Sequence, residues 1–221
     1  MRRAITAAEV KAVVFDLDGV LVDSFDVMRE AFSIAYAEVV GDGEPPFEEY
    51  RKHLGRYFPD IMTIMGLPLE MQEPFVRESY RLAHKVRLFD GVIEMLLALH
   101  GDGFRLAVAT GKSGPRARSL LDGLEVLHLF ERVLGSDEVA NAKPAPDIVI
   151  RAMDLLGVQA AETVMVGDAV ADLASAQGAG VPAIAALWGE CDKTELLAAE
   201  PDAVLHKPED LLGLLLEDRH A

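Results

Sequence analysis

The sequence is poor in cysteine and in basic residues. Its single cysteine, Cys191, excludes a disulfide within the chain and is typical of a protein from a reducing compartment. With 21 Lys and Arg against 37 Asp and Glu, the formal net charge is −16. Nucleic acids and anionic membranes bind basic surfaces, so we expect neither nucleic acid nor a membrane as a partner.

Long apolar runs are also missing. No run approaches the ~20 apolar residues that a membrane helix needs, and no apolar stretch of signal-peptide length precedes Lys11. These absences predict a cytoplasmic protein. Hydrophobic residues nevertheless make up 51% of the 221 residues, which suffices for one substantial domain and a smaller one. A monomer and a homodimer are both compatible with this composition.

Strand patterns alternate with helix patterns along much of the chain. A short β-branched run at residues 10–15 predicts a buried strand. Further strands are predicted at 104–109, 132–134, 163–166 and 183–187, and helices at 92–100, 115–121, 147–156 and 172–179. This alternation predicts an α/β fold with a parallel sheet and helices on both of its faces.

A helical insertion interrupts the alternation after the first strand. Helical segments are predicted at 24–40, 47–54, 59–65 and 70–85 with no strand between them, so the stretch 25–88 should be wholly helical. Four such helices would be hard to place on one face of a sheet. We therefore expect an α-helical cap domain over residues 24–88 and an α/β core over residues 1–23 and 89–221.

Acidic side chains follow two of the predicted strands. Asp16 and Asp18 come after the first strand, Asp168 comes after the strand at 163–166, and Asp172 lies one helical turn further on. Ligands of open parallel sheets bind beyond the carboxyl ends of the strands, so these carboxylates should converge. Four like charges in one crevice require a cation among them, and an all-oxygen site with few ligands suits Mg²⁺.

Hydroxyl and basic groups are predicted at the same edge of the sheet. Thr110, Gly111 and Lys112 follow the strand at 104–109, and Lys143 precedes the helix at 147–156. A metal ion, lysines and backbone amides can together bind an anionic phosphate even in a protein with a strongly negative net charge.

These segments resemble the four motifs of the haloacid dehalogenase-like hydrolase superfamily. The segment DLDGVLVDS (residues 16–24) resembles the first motif, and TGK (110–112), KPAPD (143–147) and GD (167–168) with Asp172 resemble the second, third and fourth in the family's order. The helical insertion resembles the type-one cap of phosphoglycolate phosphatases and β-phosphoglucomutases. The resemblance implies a Rossmann-like parallel core with an inserted helical cap.

It also implies a phosphoric monoester hydrolase that works through an aspartyl phosphate. Asp16 would be the nucleophile, and Asp18 would protonate the leaving oxygen and later deprotonate the attacking water. Lys143 would neutralise charge at the nucleophile. Mg²⁺ would be held by Asp16, by the backbone carbonyl of Asp18, by Asp168, and by Asp172 either directly or through water. Dehalogenases lack the acid at the position of Asp18, which favours a phosphate substrate over a haloacid.

The remaining expected contacts concern the substrate. Thr110 and the amide of Gly111 would donate hydrogen bonds to the phosphoryl oxygens, and Lys112 would assist them. Arg56 lies where relatives have a substrate-specificity loop, so it is the candidate for contact with the leaving group from the cap.

The cap sequence also suggests a substrate. Residues 47–81, including HLGRYF (53–58) and IMGLP (64–68), resemble the phosphatase associated with 3-amino-5-hydroxybenzoate formation in ansamycin-type antibiotic clusters. This resemblance implies a sugar or amino-sugar phosphate as the small-molecule substrate, with phosphoglycolate as the second candidate.

Two other functions share much of this pattern. A β-phosphoglucomutase-like phosphomutase would use the same carboxylates but return the phosphate to its substrate. A phosphoryl-receiver signalling module combines acidic residues, a threonine and a lysine on a parallel sheet, but it needs neither Asp18 nor a large cap.

Overall fold

The computed structural model describes residues 5–216 and shows a parallel sheet with an inserted group of helices. The strands are β1 (Ala12–Phe15), β2 (Val22–Asp23), β3 (Arg87–Leu88), β4 (Arg105–Thr110), β5 (Arg132–Gly135), β6 (Thr163–Gly167), β7 (Ala183–Ala186) and β8 (Ala203–Leu205). The helices are α1 (Phe25–Val39), α2 (Phe47–Arg51), α3 (Phe58–Met65), α4 (Gln72–Arg81), α5 (Val92–Gly101), α6 (Gly114–Gly123), α7 (Asp147–Leu156), α8 (Val170–Gly178), α9 (Lys193–Ala198) and α10 (Asp210–Leu216).

The main sheet has six parallel strands in the order β5-β4-β1-β6-β7-β8. This confirms the predicted α/β fold. The first strand lies at the centre of the sheet, where Phe15 is in register with Val108 of β4 and with Val166 of β6. The carboxyl ends of β4, β1 and β6 are therefore adjacent, and the residues that follow these strands share one edge.

Alternate residues of β1 supply two hydrophobic cores, one on each face of the sheet. Val13 and Phe15 pack into one cluster, while Ala12 and Val14 pack into the other, as the two-residue period of a strand requires. All four side chains are fully buried. Helices thus cover both faces, and the central strand is held rigidly between them.

The inserted helices α1 to α4 lie between β2 and β3 and form the predicted helical cap. Their interior is aromatic, with Phe58 stacked on Phe75 at 4.1 Å between ring centroids and Tyr50 4.6 Å from Phe32. This aromatic group belongs to the same hydrophobic cluster as Phe15 of the sheet. The cap therefore packs on the core instead of standing apart from it.

The expectation that residues 25–88 are wholly helical is wrong at its end. Arg87 and Leu88 form β3, which pairs antiparallel with Asp23 and Val22 of β2. The chain enters and leaves the cap side by side there, and the two segments satisfy each other's backbone hydrogen bonds. The domain boundaries at 23/24 and 88/89 stay a prediction, and the ends of the predicted core, residues 1–4 and 217–221, lie outside the described residues.

Within residues 5–216, no helix combines the length and the apolar character needed to cross a membrane.

Candidate functional site

The turn after β1 presents Asp16 and Asp18 at the edge of the sheet. The amide of Asp16 continues the sheet by donating to the carbonyl of Val166 at 2.9 Å. The chain then turns at Gly19, which has a positive φ of 76°. A Cβ at this glycine would lie 2.1 Å from Oδ2 of Asp168, so only glycine fits both the turn and the close approach.

Lys143 connects the carboxylates beneath this turn. Its ammonium donates to Asp16 Oδ1 at 2.8 Å, to Asp172 Oδ1 at 2.6 Å and to the carbonyl of Ala109 at 3.0 Å. Burial lowers the pKa of Lys143, but the charges of Asp16 and Asp172 outweigh that effect and raise it overall. The lysine is therefore a fixed positive charge directly beside the carboxylate of Asp16.

Asp16, Asp168 and Asp172 form a buried acidic cluster. One carboxylate oxygen of each lies within 4.8 Å of the others. Burial raises the pKa of Asp16, the charge of Lys143 opposes this shift, and the carboxylate of Asp172 adds to it, which leaves the pKa at about 7. Burial and the charges of Asp172 and Asp16 raise the pKa of Asp168 well above its usual value. Ionisation of all three carboxylates would thus give the cluster more negative charge than Lys143 alone compensates.

The donors of this cluster fit a small, hard divalent cation. All three side chains offer oxygen, the ligand that Mg²⁺ prefers, and three carboxylates against one ammonium leave an excess of two negative charges when ionised. A Cβ at Gly189 would lie 2.3 Å from Oδ2 of Asp168, so only glycine fits this close to that oxygen. The residues present therefore fit the Mg²⁺ that the sequence predicts.

Asp18 has a separate environment from the acidic cluster. Its carboxylate accepts hydrogen bonds from Lys112 Nζ at 2.5 Å to each oxygen, and from the hydroxyl of Ser24. Burial raises the pKa of Asp18, but Lys112 and the hydrogen bonds more than offset this, so the pKa is lowered overall. Asp16 and Asp18 are thus two neighbouring carboxylates whose pKa values are pushed apart.

The loop after β4 brings Thr110, Gly111 and Lys112 to the same edge. The Thr110 hydroxyl accepts from the amide of Lys112 at 3.2 Å, and Ser136 of the neighbouring segment donates to the carbonyl of Thr110 at 3.1 Å. A Cβ at Gly111 would lie 2.6 Å from the carbonyl oxygen of Arg56. The cap loop therefore touches the backbone of this segment.

A cleft remains between the cap and the edge of the sheet. Its polar floor is formed by Asp16, Asp18, Lys112 and Asp168, and its apolar wall by the cap residues Phe58, Ile61 and Phe75. Arg51 of the cap donates to the carbonyl of Glu190 at 3.1 and 3.2 Å and holds the cap against the core.

The structure brings all nine predicted site residues to this region. Six of them line the cleft: Asp16, Asp18, Arg56, Gly111, Lys112 and Asp168. Thr110, Lys143 and Asp172 are buried immediately beneath it. The carboxylate of Asp18 is not part of the three-membered acidic cluster, so any ligation by this residue rests on its backbone carbonyl, as the resemblance implies.

Sequence reasoning missed Arg116 and Tyr50, which also line the cleft. Arg116 lies in the first turn of α6, where the helix dipole favours acidic and not basic side chains. That unfavourable placement was the available signal. Tyr50 gave no such signal, because its position in α2 is equally typical of an ordinary core aromatic.

Comparisons with known proteins agree with this geometry. The sequence profile of haloacid dehalogenase-like hydrolases matches residues 13–186. A probable phosphatase, IndB, of Dickeya dadantii is 36% identical over 222 residues, covering 91% of this chain and 91% of that protein. The phosphoglycolate phosphatase of Aquifex aeolicus is 31% identical over 228 residues, covering 95% and 98%. A solved haloacid dehalogenase-like hydrolase from Streptococcus pneumoniae superposes with a TM-score of 0.80 at 26% identity, covering 93% and 98%.

Proposed function

The chain belongs to the haloacid dehalogenase-like hydrolase family, and from this membership we propose that it is a Mg²⁺-dependent phosphatase acting through an aspartyl phosphate on Asp16. Its enzyme class is phosphoric monoester hydrolase. Relatives named as a probable phosphatase and a phosphoglycolate phosphatase match more than nine-tenths of its length, in agreement with this class. The observation that carries the mechanism is the pair of carboxylates at the floor of the cleft, Asp16 beside Lys143 and Asp18 beside Lys112.

In the first half-reaction, a carboxylate oxygen of Asp16 forms a bond to phosphorus while the ester P–O bond breaks. Lys143 lies 2.8 Å from Asp16 Oδ1, where its charge orients the nucleophile and favours the ionised form. Thr110 and the amide of Gly111 would donate to the phosphoryl oxygens. The leaving oxygen takes a proton from Asp18.

Asp18 then acts as the base in the second half-reaction. It removes a proton from water, which attacks phosphorus, releases phosphate and regenerates the carboxylate of Asp16. In the structure Lys112 holds Asp18 ionised, the form this second step needs. A bound phosphoryl group competes for Lys112, which weakens that ion pair and raises the proton affinity of Asp18 for the first step. The Asp18–Lys112 pair thus links protonation to substrate binding.

Mg²⁺ would be held by Asp16, Asp168 and Asp172 together with the backbone carbonyl of Asp18. Bound there, it supplies positive charge that stabilises the negative charge on the transferring phosphoryl group. Asp172 also accepts from Lys143 at 2.6 Å and from the amide of Ala169 at 3.0 Å, which orients its carboxylate.

Mg²⁺ should stabilise the folded protein, and this stabilisation depends on Asp168. At ten to a hundred times Kd the gain is on the order of 1–3 kcal/mol, several degrees in Tm at ~2–4 °C per kcal/mol. Asp168→Asn relieves repulsion in the acidic cluster, so its metal-free Tm should rise slightly while most of the Mg²⁺-induced gain disappears. Thermal melts of both proteins in chelator and in Mg²⁺ measure this. If Mg²⁺ raised the Tm of the variant as much as that of the wild type, Asp168 would not be a metal ligand.

For the substrate we propose a small-molecule phosphomonoester. The first candidate is a sugar or amino-sugar phosphate in 3-amino-5-hydroxybenzoate or antibiotic biosynthesis. The second candidate is phosphoglycolate. The cap resemblance supports the first candidate, and the name of the relative from Aquifex aeolicus supports the second. Phosphate release by the purified protein with Mg²⁺ on a metabolite phosphate panel tests the proposal. Isomerised products without free phosphate would indicate a phosphomutase, and stable phosphorylation without turnover a receiver module.

Arg56 in the cap loop should affect specificity and not the chemical step. Arg56 lines the cleft from the cap, whereas Asp16 and Lys143 belong to the core. Arg56→Ala should therefore lower kcat/KM for the best panel substrate at least ~10-fold more than for a small aryl phosphate, because one charged hydrogen bond is lost. Arg81→Ala, which removes an exposed cap arginine paired with Glu78, is the matched control. Equal losses on both substrates would assign Arg56 to the chemistry or the fold.

A further inference from the structure

Arg116 is a buried arginine at the wall of the cleft. Only 8% of the residue is exposed, and it lines the cleft beside Lys112 and Tyr50. It projects from the first turn of α6, which the core contributes, toward the aromatic interior of the cap. It therefore lies where the part of the substrate beyond the phosphoryl group would bind.

The guanidinium of Arg116 has no counterion within residues 5–216. No hydrogen bond or ion pair joins it to another described residue, and Asp18, the acidic group that influences it most, is already bound by Lys112 and Ser24. In the same part of the chain, every fully enclosed polar side-chain atom has a partner. The N–H groups of Arg116 therefore reach open space, and Arg116 lines both the cleft and a smaller neighbouring pocket.

The guanidinium of Arg116 lies over an aromatic ring of the cap. Its guanidinium carbon lies 5.3 Å from the ring centroid of Phe75. A cation–π contact of this kind offsets only part of the cost of burying a charge without a counterion. Burial lowers the pKa of Arg116, but a guanidinium remains charged at neutral pH. The folded protein thus keeps a positive charge that forms no ion pair with a described residue, beside the apolar cap wall of the cleft.

We propose that Arg116 binds an anionic group, a carboxylate or a second phosphate, on the leaving group of the substrate. This inference rests on the proposed phosphatase function and narrows its substrate class. The planar guanidinium donates paired hydrogen bonds to such oxygens. The hydroxyl of Tyr50, which forms no hydrogen bond with another described residue, supplies a further donor in the same cleft. Phe58 and Ile61 would contact the carbon skeleton between the two anions.

The proposal separates the candidate substrates. Phosphoglycolate, sugar-acid phosphates and bisphosphates carry the required second anion, and a neutral sugar phosphate lacks it. A protonated amino group at this place would meet Arg116 as a like charge. The proposal therefore ranks phosphoglycolate and other acidic leaving groups above the simple sugar and amino-sugar phosphates that the cap resemblance alone places first.

Matched substrate pairs test this on the wild-type enzyme without any variant. Phosphoglycolate is compared with ethyl phosphate for the carboxylate, and propanediol bisphosphate with propyl phosphate for the second phosphate. We expect kcat/KM at least ~10-fold higher for the anionic member of one pair, the size of effect that hydrogen bonds between charged groups provide. The pair that shows the preference identifies which anion the site takes.

The variant Arg116→Met keeps much of the unbranched, apolar stem of the side chain and removes its charge. It should lower kcat/KM for the preferred anionic substrate about 10- to 100-fold more than for ethyl or propyl phosphate. Its metal-free Tm should not fall, because an uncompensated buried charge is removed. Arg118→Met is the matched control on the same helix, since Arg118 pairs with Glu138 away from the cleft; it should leave the substrate preference unchanged.

Two results would overturn the inference. The first is an equal kcat/KM for the two members of each substrate pair. The second is an Arg116→Met variant that loses the same factor in kcat/KM on every substrate and has a lower Tm, which would indicate a structural role for Arg116. If the enzyme still hydrolysed an aryl phosphate in either case, the proposed phosphatase function would still hold. Absence of turnover on every compound, the aryl phosphate included, would overturn the proposed function itself.

Discussion

Asp16→Asn is expected to lower kcat by at least ~10³-fold, a typical loss for a residue that acts within a catalytic unit. The amide has nearly the shape of the carboxylate but is no nucleophile toward phosphorus. Lys143 keeps its 2.6 Å contact with Asp172, so the fold around the site should survive the substitution. Phosphate release under saturating substrate and Mg²⁺ measures the loss.

The matched control for Asp16 is an aspartate outside the cleft. Asp26 in the first turn of α1 pairs with Arg29, and its side chain is 84% exposed, so Asp26→Asn should retain near wild-type kcat. If Asp16→Asn retained a tenth of the wild-type activity while folded, a covalent mechanism on this residue would be excluded.

Asp18→Asn is expected to lower kcat by ~10²–10⁴-fold on alkyl phosphates, the usual contribution of a general acid and base. The two half-reactions should respond differently to the leaving group. A nitrophenolate leaves without protonation, so aspartyl-phosphate formation from nitrophenyl phosphate should be affected far less than formation from an alkyl phosphate. The second half-reaction still lacks its base, and the phosphorylated enzyme should accumulate.

Single-turnover experiments with the two classes of substrate separate these steps. A burst of nitrophenolate followed by slow phosphate release is the expected pattern for Asp18→Asn. Equal losses in both half-reactions on both substrates would assign Asp18 to structure or metal binding instead of proton transfer.

The core of the site was predictable because backbone geometry fixes it. A buried strand that ends at Asp16 must present the following side chains at the sheet edge, and parallel pairing with β4 and β6 brings Thr110 and Asp168 to the same place. These relations depend only on strand order and strand ends. The hydrophobic pattern predicted the strand ends, and the resemblance of the motifs to the family implied a Rossmann-like core, whereas the strand order comes from the structure.

The hydrogen-bond and ion-pair partners of the site residues were less predictable, because they are side chains from segments that are far apart in the sequence. Lys112 was expected on the phosphate, whereas the structure pairs it with Asp18. The place of Arg116 in the first turn of α6 is unusual for a basic residue, but only its packing against Phe75 and Tyr50 of the cap shows that it is buried without a counterion. Such contacts join residues far apart in sequence and leave no periodic pattern.

The short strands were missed for a related reason. β2 and β3 have two residues each, and β8 has three, too few for a recognisable alternation. They exist because neighbouring backbone satisfies their hydrogen bonds, as in the pairing of Ile184 with Ala203 between β7 and β8.

The covalent intermediate can be observed directly in Asp18→Asn. The variant is mixed with nitrophenyl phosphate and Mg²⁺, quenched in acid within the first turnover, and analysed by peptide mass spectrometry before and after neutral hydroxylamine. We predict one phosphoryl group on the peptide that contains Asp16, removed by hydroxylamine as an acyl phosphate must be. Substrate turnover with no phosphorylated peptide, or with the phosphoryl group on another residue, would contradict the mechanism.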